Sequence, residues 1–316
     1  MQILFMGTPD HAAGILQALL DAQENVAAVI TQPDRPKGRG QKLSPSPVKL
    51  VAMNRHLPVE QPEKAKDPAF VSMVNSYSPE LIVAAAYGKI LPKAVLDIPK
   101  YGCINVHASL LPKYRGAAPI QWAILNGEIE TGITIMQMAE ELDAGDIILQ
   151  KKVPIDINDN TATLGNKLFE VGQSALLEAI DQIKSGKARR IPQKASEATF
   201  APSLSKESGE IDWKKKALEI HNRIRAMNPW PGAHTFFRKK RMLIWGSCAV
   251  ETQRIASLRA PAPGRVMEIV KNKGLVIATG DGLLLLTEVQ LEGGKRMNAY
   301  NLVIGHKIKV GDILPS

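Results

Sequence analysis

A chain of 316 residues with 45% apolar content can bury the cores of about two domains, and no run approaches the roughly 18 apolar residues that span a membrane. Two cysteines, Cys103 and Cys248, are too few for a disulfide framework and are expected to be reduced, and no His/Cys cluster has the spacing of a metal site. The net charge of +9 is uneven: residues 1–189 hold 19 Lys and Arg against 20 Asp and Glu, a balance of −1, whereas the remaining 127 hold 21 against 11, a balance of +10.

The start, M-Q-I-L-F-M-G-T-P, lacks the basic segment and long apolar stretch of a secretory signal, so a cytosolic protein is expected. Gln2 to Met6 reads as a short apolar strand. In the G-T-P-D that follows, Thr8 is expected to cap a helix with Pro9 at its first position, and Ala12, Ile15, Leu16 and Leu19 have the spacing of its buried face. There is no G-x-G-x-x-G and no P-loop, which argues against a dinucleotide site. Val26 to Ile30 is the second strand. The stretch T-Q-P-D-R-P-K-G-R-G-Q-K-L-S-P-S-P-V after it is too rich in Pro and Gly for a long regular element. In and just beyond it Arg35, Lys37, Arg39, Lys42 and Lys49 stand against Asp34 alone; the segment reads either as a solvated surface loop or as a basic arm. Val48 to Asn54 is a short helix, Val59 to Gln61 a strand and Ala69 to Asn75 a helix. Leu81 to Ala85 is a strand apolar throughout, as in a sheet covered on both faces, and A-A-A-Y-G-K-I-L-P follows it.

Residues 102 to 145 carry the candidate chemistry. In G-C-I-N-V-H-A-S-L-L-P-K-Y-R-G-A-A-P, Cys103 to Val106 ends a buried strand, and the period of 2 sends Asn105 and His107 to the same side. Pro112, Gly116 and Pro119 make residues 108–119 a loop beyond the strand's C-terminal edge, where open α/β sheets bind ligands. T-G-I-T-I-M-Q-M-A-E-E-L-D-A-G-D-I-I then gives a strand from Ile133 to Met138, a tight turn carrying Asp143, and a return strand from Ile147. An amide, an imidazole and a carboxylate together suit attack by an amine on an activated acyl carbon. Asn105 and protonated His107 would donate to the developing oxyanion, and Asp143 would keep the imidazole charged and help remove the amine proton. The same residue types also suit a loop cap, a satisfied buried polar group and an ordinary turn former, and residue type alone does not decide between these.

Leu164, Leu168, Val171, Ala175, Ala179 and Ile183 mark a long amphipathic helix that closes the first domain. The segment from Ser185 lacks helical periodicity and reads as an extended linker bearing Lys187, Arg189, Arg190, Lys194 and Lys206. Trp213 opens the second part, with a helix through Ile220, Ile224 and Met227 ending near N-P-W-P-G. Five strands follow: His234 to Phe237, Met242 to Ala249, Gly264 to Val270, Leu275 to Thr279 and Leu283 to Gln290. The R-K-K-R cluster, Arg238 to Arg241, sits in the first turn between them. The predicted class is α/β: a Rossmann-like doubly wound sheet over residues 1–189, a basic linker over 190–206, and an OB-like β-barrel domain over 207–316. A basic second half attached to a near-neutral first half suits a polyanion held at two places, with nucleic acid the usual candidate and a merely solvated surface the alternative.

The stretch N-V-H-A-S-L-L-P-K-Y-R-G-A-A-P-I-Q-W-A-I-L-N-G-E, with T-G-I-T-I-M and L-D-A-G-D-I after it, closely resembles the formyltransferases that use 10-formyltetrahydrofolate. Over its whole length the chain is similar to the group within them that acts on methionyl-tRNA. The resemblance implies transfer of a formyl group from that folate, a co-substrate, to the α-amino group of methionyl initiator tRNA for translation initiation; no metal is required, and a monomer without a membrane partner is expected. It implies Asn105, His107 and Asp143 as catalytic residues and a folate site lined by Ser109, Leu110, Leu111 and Pro112. Tyr87, Gly88 and Ile90 would add backbone and apolar contacts to the pterin. Arg39 in the K-G-R-G turn, with Lys37 and Lys42, would meet the acceptor stem. Arg189 and Arg190 in the linker and Arg238, Lys239 and Lys240 in the turn are the further tRNA contacts expected. Two alternatives stay open: a folate-dependent formyltransferase acting on a small amine, and a non-catalytic RNA-binding protein.

Overall fold

The computed structural model describes residues 1–37, 42–250 and 261–315. They divide into two compact units between which the chain passes repeatedly: residues 1–119, 130–154 and 165–202 form the first, and 120–129, 155–164 and 203 onward the second.

The first unit is built on β1 (Gln2–Gly7), α1 (Asp10–Asp21), β2 (Asn25–Ile30), a small hairpin of β3 (Arg35–Lys37) and β4 (Lys42–Ser44), α2 (Pro47–Asn54), β5 (Val59–Glu60), α3 (Pro68–Ser76), β6 (Leu81–Ala85), α4 (Lys93–Leu96) and β7 (Cys103–His107). α5 (Pro119–Leu125) leads away from it, β8 (Glu130–Gln137) and β9 (Ile147–Pro154) return, and α6 (Thr161–Lys184) ends in it. Seven strands pair in the order β5-β2-β1-β6-β7-β8-β9. The first five are parallel, whereas β8 is antiparallel to β7, and β9 to β8. The strand order reverses at β1, and open α/β sheets bind their ligands beyond the strands' C-terminal ends at such a reversal. The loops after β1, β2 and β6 are tied together there: Thr8 Oγ1 and Gln32 Nε2 both donate to the Tyr87 carbonyl, at 3.2 and 3.0 Å.

Apolar runs form these strands because both faces are covered: every residue of L-I-V-A-A in β6 is buried. On α6, Leu164, Leu168, Ala175, Leu176, Ala179, Ile180 and Ile183 are buried in the stripe that its period requires. Helix starts follow local chemistry. Ser46 accepts from the Lys49 N–H ahead of Pro47, and Asp67 from the Ala69 N–H ahead of Pro68. The expected Thr8 cap is corrected. Pro9 itself holds the N-cap position of α1, no side chain caps that helix, and the Thr8 hydroxyl is spent on Tyr87. Asp10 lies in the first turn, where a negative charge suits the helix dipole.

His11 on α1 stacks on Phe169 of α6 with ring centroids 4.0 Å apart. Burial outweighs the attraction of Asp10 and pushes the His11 pKa down to about 4 from an ordinary 6.5. The unfolded chain therefore binds this proton more readily. The stability contribution is complete above about pH 6.5 and is lost as pH falls toward 4. Urea midpoints should drop across that window by the equivalent of at most about 3 kcal/mol, and His11→Phe should flatten this part of the profile.

The second unit holds α7 (Ala217–Ala226), β10 (Ala233–Phe237), β11 (Lys240–Val250), β12 (Val266–Val270), β13 (Gly274–Ala278), β14 (Leu283–Leu291), β15 (Met297–Asn298) and α8 (Ala299–His306). The strands pair antiparallel in the order β10-β11-β14-β13-β12, with β15 beside β14, so the five expected strands gain a short sixth. β10 and β12 are the edges among the described residues. α8, capped by Asn298 and ended by Lys307 at φ 53°, was not expected from the sequence. Buried side chains on α7 reach back along the chain: Arg225 donates to the carbonyls of Asp156 and Asp159, and His221 Nε2 to that of Ile157.

Candidate active site

β7 places Asn105 and His107 on one face, and its neighbours fix them by register: Asn105 lies between Ala84 of β6 and Met136 of β8, and His107 beside Thr134. His107 is 5% exposed. Its Nε2 lies 3.0 Å from the Tyr114 carbonyl. A carbonyl only accepts, so Nε2 carries the hydrogen and Nδ1 is the nitrogen turned to Asp143, 3.6 Å from Oδ2. That carboxylate oxygen also accepts from the Gly116 N–H at 2.9 Å. The Asn105 amide is half-buried and has no hydrogen-bond partner among the described residues. A donor left free two residues along the strand from the imidazole, on the same face, fits an acyl oxygen that gains charge during reaction.

Asp143 reaches His107 by a longer route than a tight turn. Because β8 runs antiparallel, Gln137 leaves the sheet level with Ile104, three residues or about 10 Å from His107 along β7. Residues 138–146 must double back to bring Asp143 to the imidazole. The return is fixed at several points: Met138 N donates to the Cys103 carbonyl and Gln137 N to that of Asp146, and Asp143 takes a left-handed φ of 49°. A Cβ on Gly145 would stand 1.8 Å from the Gln137 carbonyl oxygen, so no other residue fits there unless the turn moves.

Ser109 to Pro112 is packed tightly into the first unit. Ser109 Oγ donates to the Lys113 carbonyl, and Thr134 Oγ1 donates to the Ser109 carbonyl. Leu111 N donates to Thr134 Oγ1, and the Leu111 carbonyl accepts from Gln150 Nε2. Leu111 is buried with Met136 and Ile147, Leu110 is half-buried, and the bond before Pro112 is cis. After β6, the Tyr87 side chain turns into the core at 4% exposure, its hydroxyl has no hydrogen-bond partner among the described residues, and burial pushes its pKa up to about 12. Gly88 is exposed at φ 83° and Ile90 is exposed, so the two offer backbone and apolar surface respectively. Cys103 is fully buried, and burial pushes its thiol up to about 12, which leaves it inert. Among the described residues no group of three His, Cys, Asp or Glu is arranged to hold a metal ion.

Of the residues expected to meet tRNA, Arg39 lies outside the described residues. Lys37 and Lys42 are paired in the β3–β4 register. Arg189 and Arg190 are exposed at the end of the first unit's α6 segment. In the second unit Arg238 and Lys239, at φ 48° and 66°, form the two-residue turn before β11, with Lys240 next; all three are exposed.

Two further residues act on the turn that carries Asp143. Arg115, only 4% exposed, donates through Nη1 to Glu141 and through Nε and Nη2 to Gln193 Oε1. Gln193 belongs to the segment read as a linker. That segment is strapped to the first unit: Ile191 pairs with Ile147, and Phe200 with Arg115. An arginine inside the Y-R-G motif was a usable signal for the first; Gln193 had none.

Residues 1–180 match the formyl transferase family, and residues 203–307 match the formyl transferase C-terminal domain. The chain belongs to the formyl transferase family. It is 48% identical to the methionyl-tRNA formyltransferase of Halalkalibacterium halodurans, covering 99% of this chain and 98% of the relative, and 48% identical to that of Geotalea uraniireducens over the same shares. Solved structures share the fold at lower identity. WlaRD, a sugar 3N-formyl transferase, superposes with a TM-score of 0.66 at 22% identity, covering 90% of this chain and 97% of that one. HypX from Aquifex aeolicus in complex with tetrahydrofolic acid gives 0.65 at 19%, covering 100% of this chain and 51% of that one.

Proposed function

We propose that this formyltransferase moves a formyl group from 10-formyltetrahydrofolate to the α-amino group of methionine carried by initiator tRNA. The observation that carries this reading is near-half identity to methionyl-tRNA formyltransferases along the whole chain, the basic second half included. The reaction forms an N–C bond from the amine to the formyl carbon, breaks the bond from that carbon to the folate nitrogen, and moves one proton from the amine to the departing nitrogen. Asn105 donates its free amide N–H to the formyl oxygen as that oxygen gains charge. His107 turns its Nε2–H from the Tyr114 carbonyl to the same oxygen when substrate is bound; catalytic hydrogen bonds commonly tighten only in the complex. Asp143 faces the other ring nitrogen and receives the amine proton on its way to the leaving group. Gly88 and Ile90 flank the pterin, and Ser109 to Pro112 shape the wall of its site.

The β3–β4 hairpin, Arg189–Arg190 and Arg238 to Lys240 take the tRNA backbone. Formyl transfer to charged initiator tRNA, compared with free methionine and small amines, tests the reading: activity on a small amine alone would refute it. Binding of tRNA should weaken steeply with salt, with a log–log slope of about −0.9 per neutralised phosphate. Replacing Arg238, Lys239 and Lys240 with Ala should raise the KM for tRNA and flatten that slope by about one for each phosphate left without its cation.

A further inference from the structure

We infer that Gln193 is a positioning residue for Asp143, holding the doubled-back turn against His107. The inference rests on the reading of Asp143 given above. The Gln193 carboxamide is fully used and can sit only one way round. Its Nε2 donates to the carbonyls of Asp143 and Gly145, both at 2.8 Å, and its Oε1 accepts from Arg115 Nε at 3.1 Å and Nη2 at 2.9 Å. Carbonyls only accept and a guanidinium only donates, so each end of the amide meets the sole partner it suits. The same guanidinium holds Glu141, two residues before Asp143. The clamp therefore grips residues 141, 143 and 145 of a turn that begins level with Ile104 and doubles back to His107. Gln193 makes no hydrogen bond to His107 or Asn105 among the described residues, so its effect on the chemistry passes through where it puts Asp143.

Glutamate at this position separates positioning from mere packing. Gln193→Glu keeps the acceptor for Arg115 but sets a carboxylate oxygen against the Asp143 and Gly145 carbonyls. In the full-length protein we expect kcat to fall about 10- to 100-fold, as small misplacements of a reacting group do. KM for both substrates should stay within about threefold and the thermal midpoint near that of the parent. Added to Asp143→Asn, it should lower kcat no further, because both changes act through one side chain. If Gln193→Glu is too unstable to assay, Gln193→Leu is put through the same comparison. Parental turnover in the Gln193 variant, or losses that multiply in the double variant, would overturn the inference alone. Normal turnover in Asp143→Asn by itself would remove the catalytic reading and this inference together.

Discussion

Asn105→Ala should lower turnover by about 10²- to 10³-fold, roughly 3–4 kcal/mol, the usual cost of one oxyanion donor. The Asn105 side chain has no hydrogen-bond partner among the described residues, so its truncation strands no other buried group. Its backbone stays laddered between Ala84 and Met136. The fold, the folate affinity and the KM for tRNA should therefore change little while kcat falls. Single-turnover rates at saturating substrates, with a thermal melt alongside, measure this. A variant with near-normal turnover would take Asn105 out of the chemistry.

Asp143→Asn is the second large effect, expected at about 10²- to 10⁴-fold in rate, the range of a lost acid–base group. The substitution is chosen for what it leaves intact. Asparagine tolerates the left-handed backbone at φ 49° and retains an oxygen for the Gly116 N–H, so the turn survives and only the charge facing His107 disappears. Folate binding, followed by fluorescence titration, should persist as the rate falls. An equal loss of binding would instead make Asp143 a structural turn residue.

Much of the first unit was legible because its signals are local. Apolar runs such as L-I-V-A-A mark strands buried on both faces, and a spacing of two put Asn105 and His107 on one side before any partner was known. Strand direction is not local. A period of 2 reads the same for parallel and antiparallel strands, so the sequence could not show that β8 exits away from His107 or that residues 138–146 must fold back. Gln193 escaped notice for a related reason: its partners are two carbonyls and a guanidinium far off in sequence, and no composition rule marks such a residue. The Thr8 cap failed through competition, since the Tyr87 carbonyl claims the hydroxyl that a helix start would use. α8 was missed because its stop signal is a lysine in left-handed backbone where a glycine is the usual marker.

The interleaving of the two units bears on how such a protein can be cut or recombined. Arg225 and His221 are anchored on carbonyls of residues 156, 157 and 159, which precede α6, while Gln193 follows it. A fragment starting at residue 207 would keep the buried guanidinium and imidazole but discard the oxygens that neutralise their desolvation. A fragment stopping at 189 would keep Asp143 and lose its clamp. Swapping one homologue's tail for another's at 207 would therefore sever the bonds of α7, and at 189 those of the clamp as well, so the basic portion is better exchanged by surface charge than by splicing.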